Sequence, residues 1–389
     1  MVVMATQEIL DKPYGFIGLH VGVGKYSSTN EADYKDACRT ACLQAVAALK
    51  EGKLAVEAVA VALSALEEAP CTNAGVGSNL NLEGEVECDA SIMDGKSLGF
   101  GAVGAVKGII NPSQVAAHLL KKELQGPTSV GLIPPIFLVG DGAVGWASQN
   151  SVAESVSNES LITDKSLAAF NKSKAKLDRT RLNTVAHNSH KKRRIEDLCV
   201  YEDSYMDTVG AVCVDSEGNL CAGVSSGGLL LKTPGRVGQA AVYGSGCWAR
   251  NQTEESDVGV ACCTTGCGEY LIKTMLAKEC AEMASNRDGY SAVKDALQQK
   301  FFDASHLPSN KQKLAGILLL RAMESKSQGR EVELVWGHNA SSMCLGYMST
   351  ENQRPKIRIC RSSECVDVQE THPVMIEGTV ERQDKQKPS

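Results

Sequence analysis

Aromatic residues make up only 5% of this 389-residue chain, and proline occupies just 11 positions. Proline-rich and low-complexity architectures are therefore excluded. No stretch approaches the roughly 18 uninterrupted apolar residues that a membrane span needs, so no membrane partner is expected. Charge bias is small as well: the formal net charge of −6 gives no global attraction to nucleic acid, and no direct nucleic-acid partner is expected. The first residues, MVVMATQEILDKPYG, carry Glu8 and Asp11 and lack a basic start or an apolar stretch, so neither an export nor a transit signal is expected there. No GxSxG elbow competes for a nucleophile's role, and the histidines, among them His20, His118 and His338, have no evident Ser or Cys partner. They read as structural or exposed.

Cysteine is plentiful, at 15 residues. Without an export signal most should be free thiols. Cys38, Cys42, Cys213 and Cys221 fall at apolar positions of helix or strand patterns, as small buried hydrophobes do. Cys262, Cys263 and Cys267 lack a second CxxC or a CxxH nearby, so no metal is expected. The sequons at Asn158, Asn171, Asn251 and Asn339 read as chance matches.

Hydrophobic residues at 43% and 36 glycines suit a compact fold with many tight turns. A tail (1–13) precedes a first segment (14–146) of mixed strand and helix. Residues 14–21 predict a strand. A helix capped by Thr29 or Asn30 should carry Ala37, Cys38, Ala41, Cys42, Ala45, Val46 and Leu49 on one face and stop at Gly52; a second should run over 54–68. Strands are expected at 85–95, 100–106 and 134–140. The segment 147–207 is polar and basic and reads as a long mobile insert, helical in part between Lys165 and Leu177. Its run Lys191, Lys192, Arg193 and Arg194 is a candidate nuclear-import signal; a nucleic-acid patch and a plain solvated charge run are the other readings. Order returns over 208–380, with strands at 208–215, 219–226, 315–322, 331–337 and 342–349 and helices over 268–283 and 290–302. A charged tail (381–389) should be frayed. Sheets covered by helices, without crossover helices between the C-terminal strands, indicate a layered α/β sandwich and not a wound parallel sheet.

The loop Ser216-Glu217-Gly218 has the form of a type I turn with a G1 bulge. It pairs Asp215 with Asn219 and, stepping back along both strands, sets Thr208 opposite Ser226. Two hydroxyls then face each other beside Gly227 and Gly228, although Thr208 could equally be an ordinary strand residue. A Thr hydroxyl needs a base beside it. Cutting the chain before Thr208 would provide one on the same residue: an α-amine with a pKa near about 8.

The blocks HVGVG (20–24), TNAGVGSNLNLEGEVECDASIMDGKSLGFGAVGAV (72–106), DTVGAV (207–212), SSGGLLLKTPGRVGQAAVYGSGCW (225–248), TTGCGE (264–269) and SMCLGYMS (342–349) resemble the type 2 asparaginases, a family of N-terminal nucleophile hydrolases. The resemblance implies a four-layer αββα sandwich and self-cleavage between Asp207 and Thr208. Thr208 would be the nucleophile, Ser226 would orient it, and Thr265 and Gly266 would form the oxyanion hole. Arg236 would grip a substrate carboxylate, and Asn73 would help position the nucleophile or a water. No metal or organic cofactor is implied.

Within the family, small-substrate asparaginases carry Asp after the GRxG motif, where it binds the substrate's α-amine; here Gln239 follows Gly238. The missing anion favours the threonine aspartase (taspase) branch, a threonine endopeptidase cutting proteins after Asp, with Gln239 lining the substrate pocket. An asparaginase or isoaspartyl peptidase acting on small molecules is the alternative. The resemblance further implies nuclear protein substrates, a dimer of cleaved αβ heterodimers, and residence in nucleus and cytoplasm with an import receptor as a possible partner.

Overall fold

The computed structural model describes residues 14–24, 26, 29–186, 208–254, 256–308, 313–325, 329–362 and 374–383. Asp207 and the run Lys191 to Arg194, both singled out above, lie outside the described residues.

Apolar runs with glycine and β-branched residues build β1 (Phe16–Gly24), β2 (Cys88–Asp94), β3 (Phe100–Val106), β5 (Val209–Val214), β6 (Leu220–Ser226) and β11 (Ser342–Ser349), all but the last residue of β1 being buried. Together with β4 (Phe137–Val139) and β12 (Lys356–Arg361) they form one eight-stranded sheet in the order β12-β11-β1-β5-β6-β2-β3-β4. A second, five-stranded sheet runs β13-β10-β9-β8-β7, from β7 (Cys247–Arg250), β8 (Val258–Gly266), β9 (Ala315–Ser325), β10 (Gly329–His338) and β13 (Met375–Gln383).

Strands buried on both faces require a layer on each side. The inner faces meet in a core holding Phe16, Tyr347 and Trp336, whose rings lie 6.1–6.2 Å apart. Burying each such side chain stabilises the fold by about 1.5–3 kcal/mol. On the outside of the larger sheet lie α1 (Glu31–Lys50), α2 (Ala55–Glu67) and α3 (Pro112–Leu124). The helix face expected for α1 is the one that is buried. The smaller sheet is covered by α7 (Leu276–Ala284) and α8 (Gly289–Asp295). This is the αββα sandwich expected.

Several elements depart from expectation. The helix expected over 268–283 is two, α6 (Gly268–Thr274) and α7, broken at Met275, which takes φ 47°, a left-handed conformation costly for a side chain with Cβ. The next helix passes from α8 into a π-turn over Ala296–Phe302. Asn30 precedes α1, yet its side chain makes no capping bond. β11 leaves the run of C-terminal strands and pairs with β1 in the other sheet, because its buried pattern completes that layer. The frayed tail was placed too early: Glu381, Arg382 and Gln383 belong to β13 and pair with β10.

The insert starts later than expected too. Residue 147 lies in α4 (Gly140–Gln149), where Ala143 and Ala147 are buried. Leu161 is buried, and its carbonyl accepts the Gly77 N–H. Apolar anchors thus tie this stretch to the core before α5 (Asp164–Ala186), which is longer than the partial helix anticipated. No helix among the described residues is long and apolar enough to cross a membrane.

Candidate active site

The turn joining β5 to β6 is organised by one side chain. Asp215 Oδ1 accepts the N–H groups of Glu217 and Asn219, each at 3.0 Å, while Oδ2 accepts the Ala55 N–H at 3.0 Å and so ties the hairpin to α2. The register runs from Val214 opposite Leu220 to Val209 opposite Ser225. One step further, Thr208 Oγ1 donates to Ser226 Oγ at 3.1 Å, which is the pairing that turn geometry predicts.

Thr208 is 3% exposed. Its Oγ1 accepts a second hydrogen bond, from Gln239 Nε2 at 2.9 Å. Ser226 Oγ in turn accepts the Gly228 N–H at 3.0 Å. Gln239, expected to line the substrate pocket, is thus engaged with the expected nucleophile, Thr208. A short 3-10 turn over Gln239–Ala241 folds the chain back and delivers the amide there.

Asn73 braces the backbone beside this pair. Its Nδ2 donates to the Gly228 carbonyl at 2.9 Å, its Oδ1 accepts the Asn79 N–H at 2.8 Å, and its own carbonyl accepts the Gly227 N–H at 2.7 Å. A Cβ at Gly227 would lie 2.5 Å from Asn73 Oδ1, so only glycine allows this approach.

Arg236 forms a bidentate pair with Glu269, Nε to Oε1 and Nη2 to Oε2, both at 2.8 Å. Burial opposes ionisation of Glu269, but the guanidinium outweighs it and holds the carboxyl below its ordinary value. Arg236 Nη2 and Gln239 Oε1 both lie against Gly268, and Arg236 Nη1 faces Gly228 and Gly238. Arg236 therefore belongs to the same cluster as Thr208 through Gln239 and the 226–228 turn.

Thr265 and Gly266 end β8, with Thr265 fully buried and Gly266 at φ 138°. Across the sandwich, the Cβ direction of Gly210 on β5 points at Cys263 Sγ. Two residues along β8 from Cys263, on the same face, is Thr265; two residues back along β5 is Thr208. The expected oxyanion residues and the expected nucleophile thus share one end of the two facing strands.

Sequence reading missed four groups around the site. His20, fully buried, faces the Thr208 backbone; its Nδ1 accepts the Gly22 N–H at 3.2 Å, and burial lowers its pKa to about 3, only partly offset by Thr208. It is a neutral ring. Glu269 holds Arg236. Glu87, just before β2, and Asp89, two residues on and within it, hold the loop that carries Arg236. The one signal available was that alternation: charged residues seldom sit fully buried without a partner.

Among the described residues no group of three or more His, Cys, Asp or Glu side chains is placed to hold a metal ion, and the described cysteines are free thiols.

The asparaginase family profile matches residues 16–355 of the chain. Isoaspartyl peptidase/L-asparaginase from Bos taurus is 36% identical over 259 residues, covering 66% of this chain and 73% of its own. The protein of the same name from Homo sapiens is 39% identical over 230 residues, 59% and 63% of the two chains. A plant-type L-asparaginase from Thermococcus kodakarensis is 36% identical over 267 residues, 68% and 78%. These names overturn the expected endopeptidase activity and the threonine aspartase branch, and favour the small-molecule alternative. That expectation rested on Gln239 standing where the small-substrate asparaginases carry Asp; in the structure its amide is bonded to Thr208. By the extent of the profile match, the chain is a hydrolase of the asparaginase family.

Proposed function

We propose that the chain hydrolyses the side-chain amide or isopeptide bond of small aspartyl compounds, L-asparagine and β-aspartyl dipeptides, with Thr208 as nucleophile. The contact that supports this best is the Thr208 hydroxyl held between Ser226 Oγ and Gln239 Nε2, next to a guanidinium fork. The names of the relatives supply the substrate class.

The chain first breaks between Asp207 and Thr208, leaving an N-terminal part ending in the basic segment and a C-terminal part headed by Thr208. The freed α-amine takes the Oγ1 proton as Oγ1 attacks the substrate's side-chain carbonyl carbon. Negative charge collects on the carbonyl oxygen, where Thr265 and the Gly266 N–H receive it. The ammonium formed on Thr208 returns its proton to the departing nitrogen, and the C–N bond breaks to leave an ester. Water, deprotonated by the same amine, then releases aspartate. Arg236, whose Nε and Nη2 are held by Glu269, offers its remaining donor Nη1 and its charge to the substrate α-carboxylate. Gln239 keeps the hydroxyl pointed at the carbonyl but offers the substrate α-ammonium only a neutral oxygen, so substrates should be bound weakly. Two cleaved chains pair in this proposal, which sedimentation at assay concentration checks.

The test is to incubate purified protein with L-asparagine, a β-aspartyl dipeptide and an Asp-containing decapeptide. Release of ammonia or of the second amino acid from the first two is expected, with the decapeptide intact. If neither small compound is turned over while Thr208 heads a new N-terminus, the proposal fails.

A further inference from the structure

Two acidic residues share one face here, Glu87 just before β2 and Asp89 within it, and neither contacts Thr208. Asp89 is fully buried. It pairs with Ser226 on β6, while towards β3 the ladder is interrupted. Cys88 pairs with Val106 and Ala90 with Val103, so Gly104 and Ala105 together oppose the single residue Asp89. That is a β-bulge, a device that re-aims a side chain. Ala105 sits at φ 49°, unusual for a residue with Cβ, and its N–H turns out of the ladder to bond Asp89 Oδ1 at 2.8 Å. The other oxygen, Oδ2, accepts the Gly238 N–H at 2.8 Å. Glu87 does likewise one turn of the loop earlier: its two oxygens accept the Gly235 N–H at 3.2 and 3.0 Å. Lys232 is also buried, and its Nζ donates to the Glu87 carbonyl at 2.6 Å.

Apart from the Ala105 bond, each of these is made to the segment 232–238 that presents Arg236 and leads into Gln239. The spacing has little slack. A Cβ on Gly238 would lie 2.8 Å from Arg236 Nη1 and 3.5 Å from Asp89 Oδ2. A shift of the Gly238 amide therefore moves the guanidinium on one side and the Gln239 amide on the other.

We propose that Asp89, seconded by Glu87, is a positioning residue that sets the substrate-gripping fork of Arg236 and the Thr208-binding amide of Gln239 as one unit, by holding the backbone between them. This rests on the roles given above to Arg236 and Gln239. A carboxylate suits the task because both its oxygens accept, and two N–H groups converge on it. An amide of the same shape must turn its NH2 towards one of those N–H groups. Buried charge at this point is tolerated because Lys232, the two N–H groups and Arg236 face it, although burial still lifts the Asp89 carboxyl above its ordinary value.

The test compares Asp89→Asn, Glu87→Gln, Arg236→Ala and the double variant Asp89→Asn/Arg236→Ala, using a β-aspartyl dipeptide. Asp89→Asn should raise KM about tenfold and lower kcat several-fold, and Glu87→Gln should raise KM two- to threefold. In the double variant KM should equal that of Arg236→Ala alone, because the fork that Asp89 sets is already gone. Multiplying KM effects would overturn the proposal, as would an unchanged KM in Asp89→Asn. Amide hydrogen exchange gives a second readout that needs no turnover: in Asp89→Asn, residues 235–241 should lose protection while β5 and β6 keep theirs. If the dipeptide is not hydrolysed by the wild type, the functional reading falls, and exchange alone decides this one. Wild-type protection over 235–241 would then overturn it.

Discussion

Thr208 and Arg236, the proposed nucleophile and the proposed carboxylate grip, stand on scaffolds of different kinds. The hydroxyl half, Thr208 with Ser226, is hung on two adjacent strands whose register is locked by a tight turn and by burial on both faces. The half proposed to bind the carboxylate, Arg236 with Gln239, lies on a loop held by backbone N–H bonds to Glu87 and Asp89. A register slip would turn every buried side chain of β5 to the wrong face, so the first half tolerates no gradual change. The second can shift by degrees. Variation in substrate grip should therefore come from the loop, while the nucleophile is present or absent.

The largest effect tests that all-or-none half. Thr208→Ala removes the attacking oxygen, and activity should fall by at least about 10⁴-fold, as loss of a nucleophile does. The same variant should stay at full length by intact mass, since the hydroxyl also serves the chain's own cleavage. Normal turnover in Thr208→Ala would move the nucleophile elsewhere and dissolve the contrast between the halves.

The graded half predicts a split in kinetic constants. Arg236→Ala should raise KM by about 30- to 1000-fold, corresponding to the roughly 2–4 kcal/mol typical of losing one member of a desolvated charge pair. Arg236→Lys should fall between, since a point charge cannot reproduce the planar fork. Should kcat collapse with KM unchanged, Arg236 would belong with the chemistry and not with the grip.

Gln239 joins the halves, and Gln239→Asp should pull them apart. The new carboxylate attracts a substrate α-ammonium, lowering KM for L-asparagine about three- to tenfold. It also loses the Nε2 donor that bonds Thr208 at 2.9 Å, so kcat should fall by about tenfold. Steady-state assays on free asparagine measure both, and opposite movements are the signature. If KM rises, the ammonium does not lie near residue 239.

The same division governs what the sequence made legible. Strand period and a turn signature are local, so the hairpin register, and with it the Thr208–Ser226 pair, followed from Ser216-Glu217-Gly218 alone. The grip on Arg236 depends on a bulge that shows only once β3 lies beside β2, so Asp89 carried no readable role. The bond from Gln239 to Thr208 was not legible, because it depends on the 3-10 turn over Gln239–Ala241. Nor does any local pattern announce a left-handed Met275. The insert was drawn too long because polar composition hides sparse anchors such as Ala147 and Leu161.

The smallest effect concerns stability and sets His20, beneath Thr208, against Glu67, a buried acid at the end of α2. Burial lowers the His20 pKa from 6.5 to about 3 and raises that of Glu67 from 4.5 to about 7. A buried neutral His stabilises the fold above its unfolded pKa, and that contribution is lost as pH falls from 6.5 towards 3, where the unfolded chain takes up the proton first. Glu67 has the opposite sign. Its protonated form is at home below 4.5, and stability is lost as pH rises from 4.5 to about 7. Ser113 donates to Glu67 through both its N–H and its hydroxyl and limits that loss without cancelling it. Between pH 4.5 and 6.5 the two slopes therefore oppose, each at most about 1.4 kcal/mol per pH unit. Unfolding by denaturant across that window should show Glu67→Gln gaining on wild type as pH rises. His20→Gln should instead lose ground to wild type with rising pH. Parallel curves for both variants would mean that neither group changes its proton occupancy on folding.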